Sequence, residues 1–114
     1  MVIHRNEMKV EDKEKMRDGE GTTRITYLLD ASNEKNARLL AEITLTPGSS
    51  IGYHQHEKET EYYLIISGEG TVNDDGKEVL VKQGDSIITG NGAWHSIKNT
   101  GSVPLIFHAI IITY

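Results

Sequence analysis

The sequence predicts an all-β protein: a single barrel or sandwich of short antiparallel strands. Three observations support this. Apolar residues alternate with polar ones at period two in several segments, most of the 11 glycines fall in turns between those segments, and hardly any stretch has helical periodicity. About eight to ten strands are expected. With 114 residues, the chain is long enough for one domain with one core.

Residues 1–22 are strongly charged and contain few apolar positions. We expect them to form a charged, solvated N-terminal arm or an edge segment that includes a helical turn. The barrel is then expected to occupy residues 23–114. Its first strand is predicted at 24–29, a loop or short helical turn at 30–36, and a strand at 38–45 whose apolar residues share one face.

Further strands are predicted at 51–56 and 61–67 on either side of a charged turn, and at 86–89 and 95–99. Asp75 and Gly76 form one of the strongest short hairpin signals, and predict a hairpin that pairs the neighbouring segments. The final segment, 103–114, is apolar at nearly every position. Both of its faces should therefore be covered, one by the core and the other by a second subunit, which predicts a homodimer.

Composition narrows the class of protein. The formal net charge is −5 and no long basic cluster is present, so a nucleic acid is not an expected partner. No run of about 18 apolar residues predicts a membrane span, and the N-terminus lacks the apolar region of a secretory signal, so we expect a cytoplasmic protein. Because cysteine is absent, nitrogen and oxygen ligands would have to hold any metal.

The stretch "GYHQHEKETEYY" at 52–63 contains the main candidate site. His54 and His56 are two residues apart, so on a strand both rings project from one face. On the returning strand Glu61 supplies a third ligand if it faces inward, and His95 can supply a fourth. Such a set suits one divalent Mn, Fe, Ni, Cu or Zn ion. An isolated H-x-H in a polar turn is a weak signal, however, and Glu57 and Glu59 are nearer carboxylates.

Two longer segments strengthen this hypothesis. "GSSIGYHQHEKETEYYLIISG" (48–68) and "GDSIITGNGAWHSIKN" (84–99) resemble the two conserved motifs of the cupin superfamily, in order and spacing. The resemblance implies that His54, His56, Glu61 and His95 are the metal ligands. It also implies that Glu57 and Glu59 are solvated turn residues. The chain departs from the pattern at Gly90, where the family usually has proline.

The resemblance implies a small jelly-roll-type cupin barrel, commonly dimeric. It also implies a metal-dependent enzyme acting on a small oxygen-rich metabolite, such as a sugar- or small-acid-type isomerase, lyase, decarboxylase or dioxygenase. The alternative is a non-catalytic module that binds or senses a small ligand. Tyr63 shares the parity of Glu61 and is a candidate catalytic residue. His108, in the last strand, is a second candidate, although a histidine with its ring hydrogen-bonded in the core or interface is the simpler interpretation.

Overall fold

Ten antiparallel strands build the protein, as seen in a computed structural model that describes all 114 residues. In chain order they are β1 (Val10–Glu14), β2 (Thr22–Tyr27), β3 (Ala37–Leu45), β4 (Ser50–Gln55), β5 (Glu59–Ser67), β6 (Glu69–Asp74), β7 (Lys77–Lys82), β8 (Ser86–Gly90), β9 (Trp94–Lys98) and β10 (Leu105–Thr113). The only helical elements are three short 3-10 turns, at Arg5–Glu7, Met16–Asp18 and Ala31–Asn33. None of them has the length and apolar character that crossing a membrane requires. The predicted all-β fold is confirmed.

The strands form two sheets that enclose one core. The larger sheet has the order β1-β2-β3-β10-β5-β8, and the smaller has the order β4-β9-β6-β7. Every pairing in both sheets is antiparallel. A cluster of 14 buried apolar side chains fills the space between the sheets.

Period-two alternation decides which side chains reach the interior. On β5, Glu61, Tyr63 and Ile65 are buried, whereas the residues between them point outward and are more exposed. β10 lies between β3 and β5 and follows the same rule, with Phe107 and Ala109 facing the core. This parity places one carboxylate and one phenol among the apolar side chains of the interior.

The outer face of β10 is apolar as well. Ile106 and Ile110 on this face are half-buried, and Ile112 is 40% exposed. Two neighbouring outward-facing isoleucines of the same sheet, Ile66 and Ile88, are 42% and 62% exposed. The chain alone therefore leaves this part of the larger sheet open to solvent.

The N-terminal charged segment is folded against the barrel. β1 forms the edge of the larger sheet by pairing with β2, and its side chains are almost all exposed. Charged side chains on an edge strand oppose pairing with further chains. The 3-10 turn at Met16–Asp18 that follows packs against β4, and Met16 contacts the hydrophobic core.

Candidate metal centre

Three strands from both sheets bring four side chains together. His54 lies on β4 directly opposite His95 on β9, and His56 follows the end of β4. Glu61 comes from β5 in the larger sheet. All four side chains are buried, with exposed fractions of 8%, 1%, 2% and 4% in the order named. The structure thus gathers the four residues that the sequence predicted.

The donor atoms of this cluster face one another closely. The Nε2 atom of His95 lies 3.0 Å from that of His56 and 3.1 Å from that of His54. One carboxylate oxygen of Glu61, Oε1, lies 3.0 Å from both His56 Nε2 and His95 Nε2, and 3.9 Å from His54 Nε2. Atoms bound to one metal at about 2.1 Å, at right angles to each other, are about 3.0 Å apart. These separations therefore fit ligands of a single ion.

Hydrogen bonds behind the rings fix which nitrogen faces inward. The Nδ1 atom of His54 lies 2.6 Å from the carbonyl oxygen of Gly52, which can only accept, so Nδ1 carries the proton. His56 Nδ1 lies 2.5 Å from Oε2 of Glu59, and His95 Nδ1 lies 2.8 Å from the Thr89 hydroxyl. With the proton on Nδ1, a neutral His54 or His56 presents an unprotonated Nε2 to the centre, as metal-binding histidines do. The Thr89 hydroxyl can accept as well as donate, so it allows the same tautomer of His95.

Glu61 adds a carboxylate oxygen to the three imidazole nitrogens of the cluster. Its Oε1 atom is buried and has no hydrogen-bond partner. Burial raises the pKa of Glu61, but His54, His56 and His95 around it lower that pKa by more, so the group is ionised at neutral pH. Burial also lowers the pKa of His95, which favours its neutral ring. Four converging acceptors and a buried negative charge can hold one metal cation.

Glu59 was wrongly expected to be a solvated turn residue. Its side chain is 12% exposed and accepts from His56 and from Arg38, whose Nε and Nη2 atoms are both 2.7 Å away. Both interactions lower the pKa of Glu59, and the hydrogen bonds from Arg38 have the larger effect. Glu57 is exposed, as expected. The sequence contained one signal for this inward position of Glu59: Glu59 and Glu61 are two residues apart on β5 and therefore share a face.

Thr89 was also missed by the sequence analysis. It lies opposite Glu61 in the pairing of β5 with β8 and is 1% exposed. Its hydroxyl orients the ring of His95. A sequence does not specify which residues face each other across two strands, so this partner became visible only in the structure.

Tyr63 lies beside the four residues. Its ring stacks on that of His95, with centroids 4.8 Å apart, and packs on Phe107 from another side. Burial first, and then the charge of Glu61, raise the pKa of Tyr63 well above its ordinary value. At neutral pH the phenol therefore keeps its proton, so it can donate a hydrogen bond but cannot act as a base.

His108 is not brought to this centre. It lies on the outer face of β10, where its Nε2 atom is 3.2 Å from Glu42 on the neighbouring strand β3. The parity of β10 points Phe107 and Ala109 inward and His108 outward. A catalytic role at this centre does not fit that position, and the alternative of a hydrogen-bonded ring does.

A cavity of about 710 Å³ opens onto three of the four residues, His54, His56 and Glu61. His54, His56, Glu61 and Tyr63 line its inner end. Other parts of its wall come from the interior of the larger sheet and from the N-terminal segment. This volume is sufficient for a small metabolite to reach a metal held by the four donors.

Comparisons with known proteins agree with this geometry. A family model described as the cupin domain matches residues 41–111, which include all four residues. An oxalate-binding protein of Thermotoga maritima is 45% identical over 113 residues, covering 98% of this chain and 93% of that protein. The crystal structure of a predicted oxalate decarboxylase from Thermotoga maritima superposes with a TM-score of 0.94 at 43% identity and covers 100% of both chains.

A more distant relative shares only part of the barrel. Mannose-1-phosphate guanylyltransferase of Klebsiella pneumoniae is 35% identical over 63 residues. That region is 55% of this chain but only 13% of the transferase. The similarity therefore concerns only a small part of a much larger enzyme.

Proposed function

This chain belongs to the cupin family, and from that premise we propose that it is a metal-dependent protein that binds a small dicarboxylate of the oxalate class. The observation that carries the proposal is the convergence of three imidazole Nε2 atoms and one unpartnered carboxylate oxygen beside a cavity. Two similar proteins, one an oxalate-binding protein and one a predicted oxalate decarboxylase, support the ligand class.

The proposed cofactor is one divalent Mn, Fe, Ni, Cu or Zn ion per chain, held by His54, His56, Glu61 and His95. Nitrogen and oxygen donors of this kind suit these ions better than calcium or magnesium. When bound, such an ion supplies Lewis acidity toward the oxygens of a carboxylate. The protein's own contribution is to fix the four donors and to enclose the ligand.

Metal analysis of a matched pair of variants tests this centre. The His56→Ala variant should retain little metal after purification without added metal, because it loses one of four donors. His4→Ala is the control, since His4 is exposed and lies outside the cavity. Equal metal content per chain in the two variants, after removal and reloading, would refute the centre.

Decarboxylation of oxalate is the second candidate function, and the similarity to a predicted oxalate decarboxylase favours it. In that reaction the carbon–carbon bond of the oxalate dianion breaks, carbon dioxide leaves, and one proton is delivered to the remaining carbon to give formate. Tyr63 is the protonated group beside the centre and is the proposed hydrogen-bond donor to the ligand. Formate production followed by NMR separates the two functions: a protein that binds oxalate and forms no formate is a binding protein.

We also propose that two copies of the chain pair through the outer face of β10. The half-buried and exposed isoleucines on that face support this, because burying them removes apolar surface from water. Light scattering should give twice the chain mass of 12.7 kDa for the wild type. The Ile110→Glu variant should give the chain mass itself, while Leu80→Glu, on the smaller sheet, should not change the result. A monomeric wild type would refute the pairing.

A further inference from the structure

The N-terminal segment contributes unpaired positive charge to the cavity. Lys13, Lys15 and Arg17 line the cavity, and none of them forms an ion pair with a carboxylate. The fourth cation of the lining, Arg38, is engaged by Glu59. Glu14 and Glu61 also line the cavity, so its three unpaired cations outnumber its carboxylates by one. In a chain of net charge −5, this local excess of positive charge favours anions.

The turn that presents Arg17 has an unfavourable backbone conformation. Lys15, Arg17 and Asp18 have φ angles of 50°, 56° and 62°, in the left-handed region that side chains other than glycine seldom occupy. Such conformations persist only where the surrounding structure enforces them, and they are concentrated at functional sites. Within this turn, Arg17 combines a strained backbone with a guanidinium side chain in the lining of the cavity.

Close backbone packing holds the turn in place. A Cβ atom at Gly52 would lie 1.9 Å from the carbonyl oxygen of Arg17, and one at Gly19 would lie 2.3 Å from that of Ser50. Only glycine at both positions lets the turn approach β4 this closely. The same Gly52 accepts the hydrogen bond from His54. The turn that carries Arg17 is therefore fixed to the strand that carries a residue of the metal centre.

From these observations we infer that Arg17 is a ligand-binding residue that holds the carboxylate group of the substrate which does not bind the metal. This inference rests on the proposed function and names the second contact point of its ligand. A guanidinium presents two parallel N–H donors in a plane, which match the two oxygens of a carboxylate. A dicarboxylate is then held at both ends, by the metal and by Arg17, whereas a monocarboxylate is held at one.

Calorimetric titration of the metal-loaded protein with oxalate and with acetate tests the inference. The Arg17→Gln variant should bind oxalate at least tenfold more weakly than the wild type, while its affinity for acetate changes less than threefold. The Arg17→Lys variant, which keeps the charge and loses the planar fork, should fall between them. Arg24→Gln is the matched control, because Arg24 is exposed, pairs with Asp12, and does not line the cavity. Metal content and melting temperature should be the same in Arg17→Gln and Arg24→Gln.

Three results would overturn the inference while leaving the proposed function intact. The first is that Arg17→Gln binds oxalate as tightly as the wild type does. The second is that Arg24→Gln loses as much oxalate affinity as Arg17→Gln, and the third is that Arg17→Gln loses its metal. A metal-loaded wild type that does not bind oxalate would instead refute the proposed ligand class, and the inference with it.

Discussion

Replacing Glu59 by glutamine should weaken metal binding although Glu59 is not among the four donors. Its carboxylate accepts from three N–H groups, two of Arg38 and one of His56. A glutamine amide has one acceptor oxygen, and its NH₂ group would face one of these donors. His56 then loses the negatively charged acceptor that orients its ring and makes Nε2 more basic.

The size of the effect follows from the role of such partners. Loss of a group that hydrogen-bonds a metal-binding histidine typically weakens metal binding by about 10- to 100-fold, or about 1.4–2.7 kcal/mol. The free energy of unfolding of the metal-free protein should change much less. Arg38 is 49% exposed, and ion pairs that open to solvent contribute about 0–1 kcal/mol.

A competition titration against a chromophoric chelator measures this affinity directly. Glu57→Gln is the matched control, because it makes the same change in the same turn at an exposed side chain. The control should bind metal as the wild type does. If Glu59→Gln binds metal as tightly as Glu57→Gln, the bond from His56 to Glu59 does not tune the centre, and the reasoning is wrong.

Three further outcomes are expected. Removing metal with a chelator should lower the melting temperature measured by calorimetry, because an ion at 100 times its dissociation constant stabilises the native state by about 2.7 kcal/mol; an unchanged melting curve after verified removal would contradict folding-linked binding. Burial raises the pKa of Glu42, but Arg5 and His108 lower that pKa by more, so the net shift is downward. The ionised Glu42 therefore stabilises the folded protein above the unfolded pKa of about 4.3, and this stabilisation is lost as the pH falls through the lower folded pKa. Glu42→Gln should therefore flatten the loss of stability below that pH in urea titrations, and an unaltered slope would count against this ion pair. Phe107→Ala, at a side chain 0% exposed, should cost about 3–5 kcal/mol in the same titrations, whereas Ile88→Ala, 62% exposed, should cost less than about 0.5 kcal/mol.

Local patterns in the sequence were sufficient to predict most of the barrel strands. The alternation along 61–67 correctly placed Glu61 and Tyr63 on one face of β5, and the structure shows that this face is the inner one. The predicted Asp-Gly hairpin joins β6 to β7, and Asp75 and Gly76 have the positive φ angles, 50° and 99°, of a two-residue turn. Both features depend on residues adjacent in sequence, where period and turn chemistry act directly.

Features that depend on tertiary contacts were not predictable in the same way. β1 gives no alternating signal, because it is an edge strand with one half-buried residue. The left-handed turn at 15–18 contains no glycine at its strained positions, so its sequence does not indicate it. The register that brings Thr89 to His95, and the packing that brings Arg17 to the cavity, are set by pairing and contact between distant segments.

The metal centre and the cation-bearing wall of the cavity come from different segments of the chain, and this separation has an evolutionary consequence. The residues proposed to hold the metal and those that orient them lie between Arg38 and His95, whereas the wall with unpaired cations is built by residues 13–17 at the surface. Substitutions in that exposed segment, away from Met16, disturb few buried contacts and should cost little stability. Ligand preference can therefore diverge among relatives of this chain through changes near the N-terminus, while the metal centre and the barrel core stay the same.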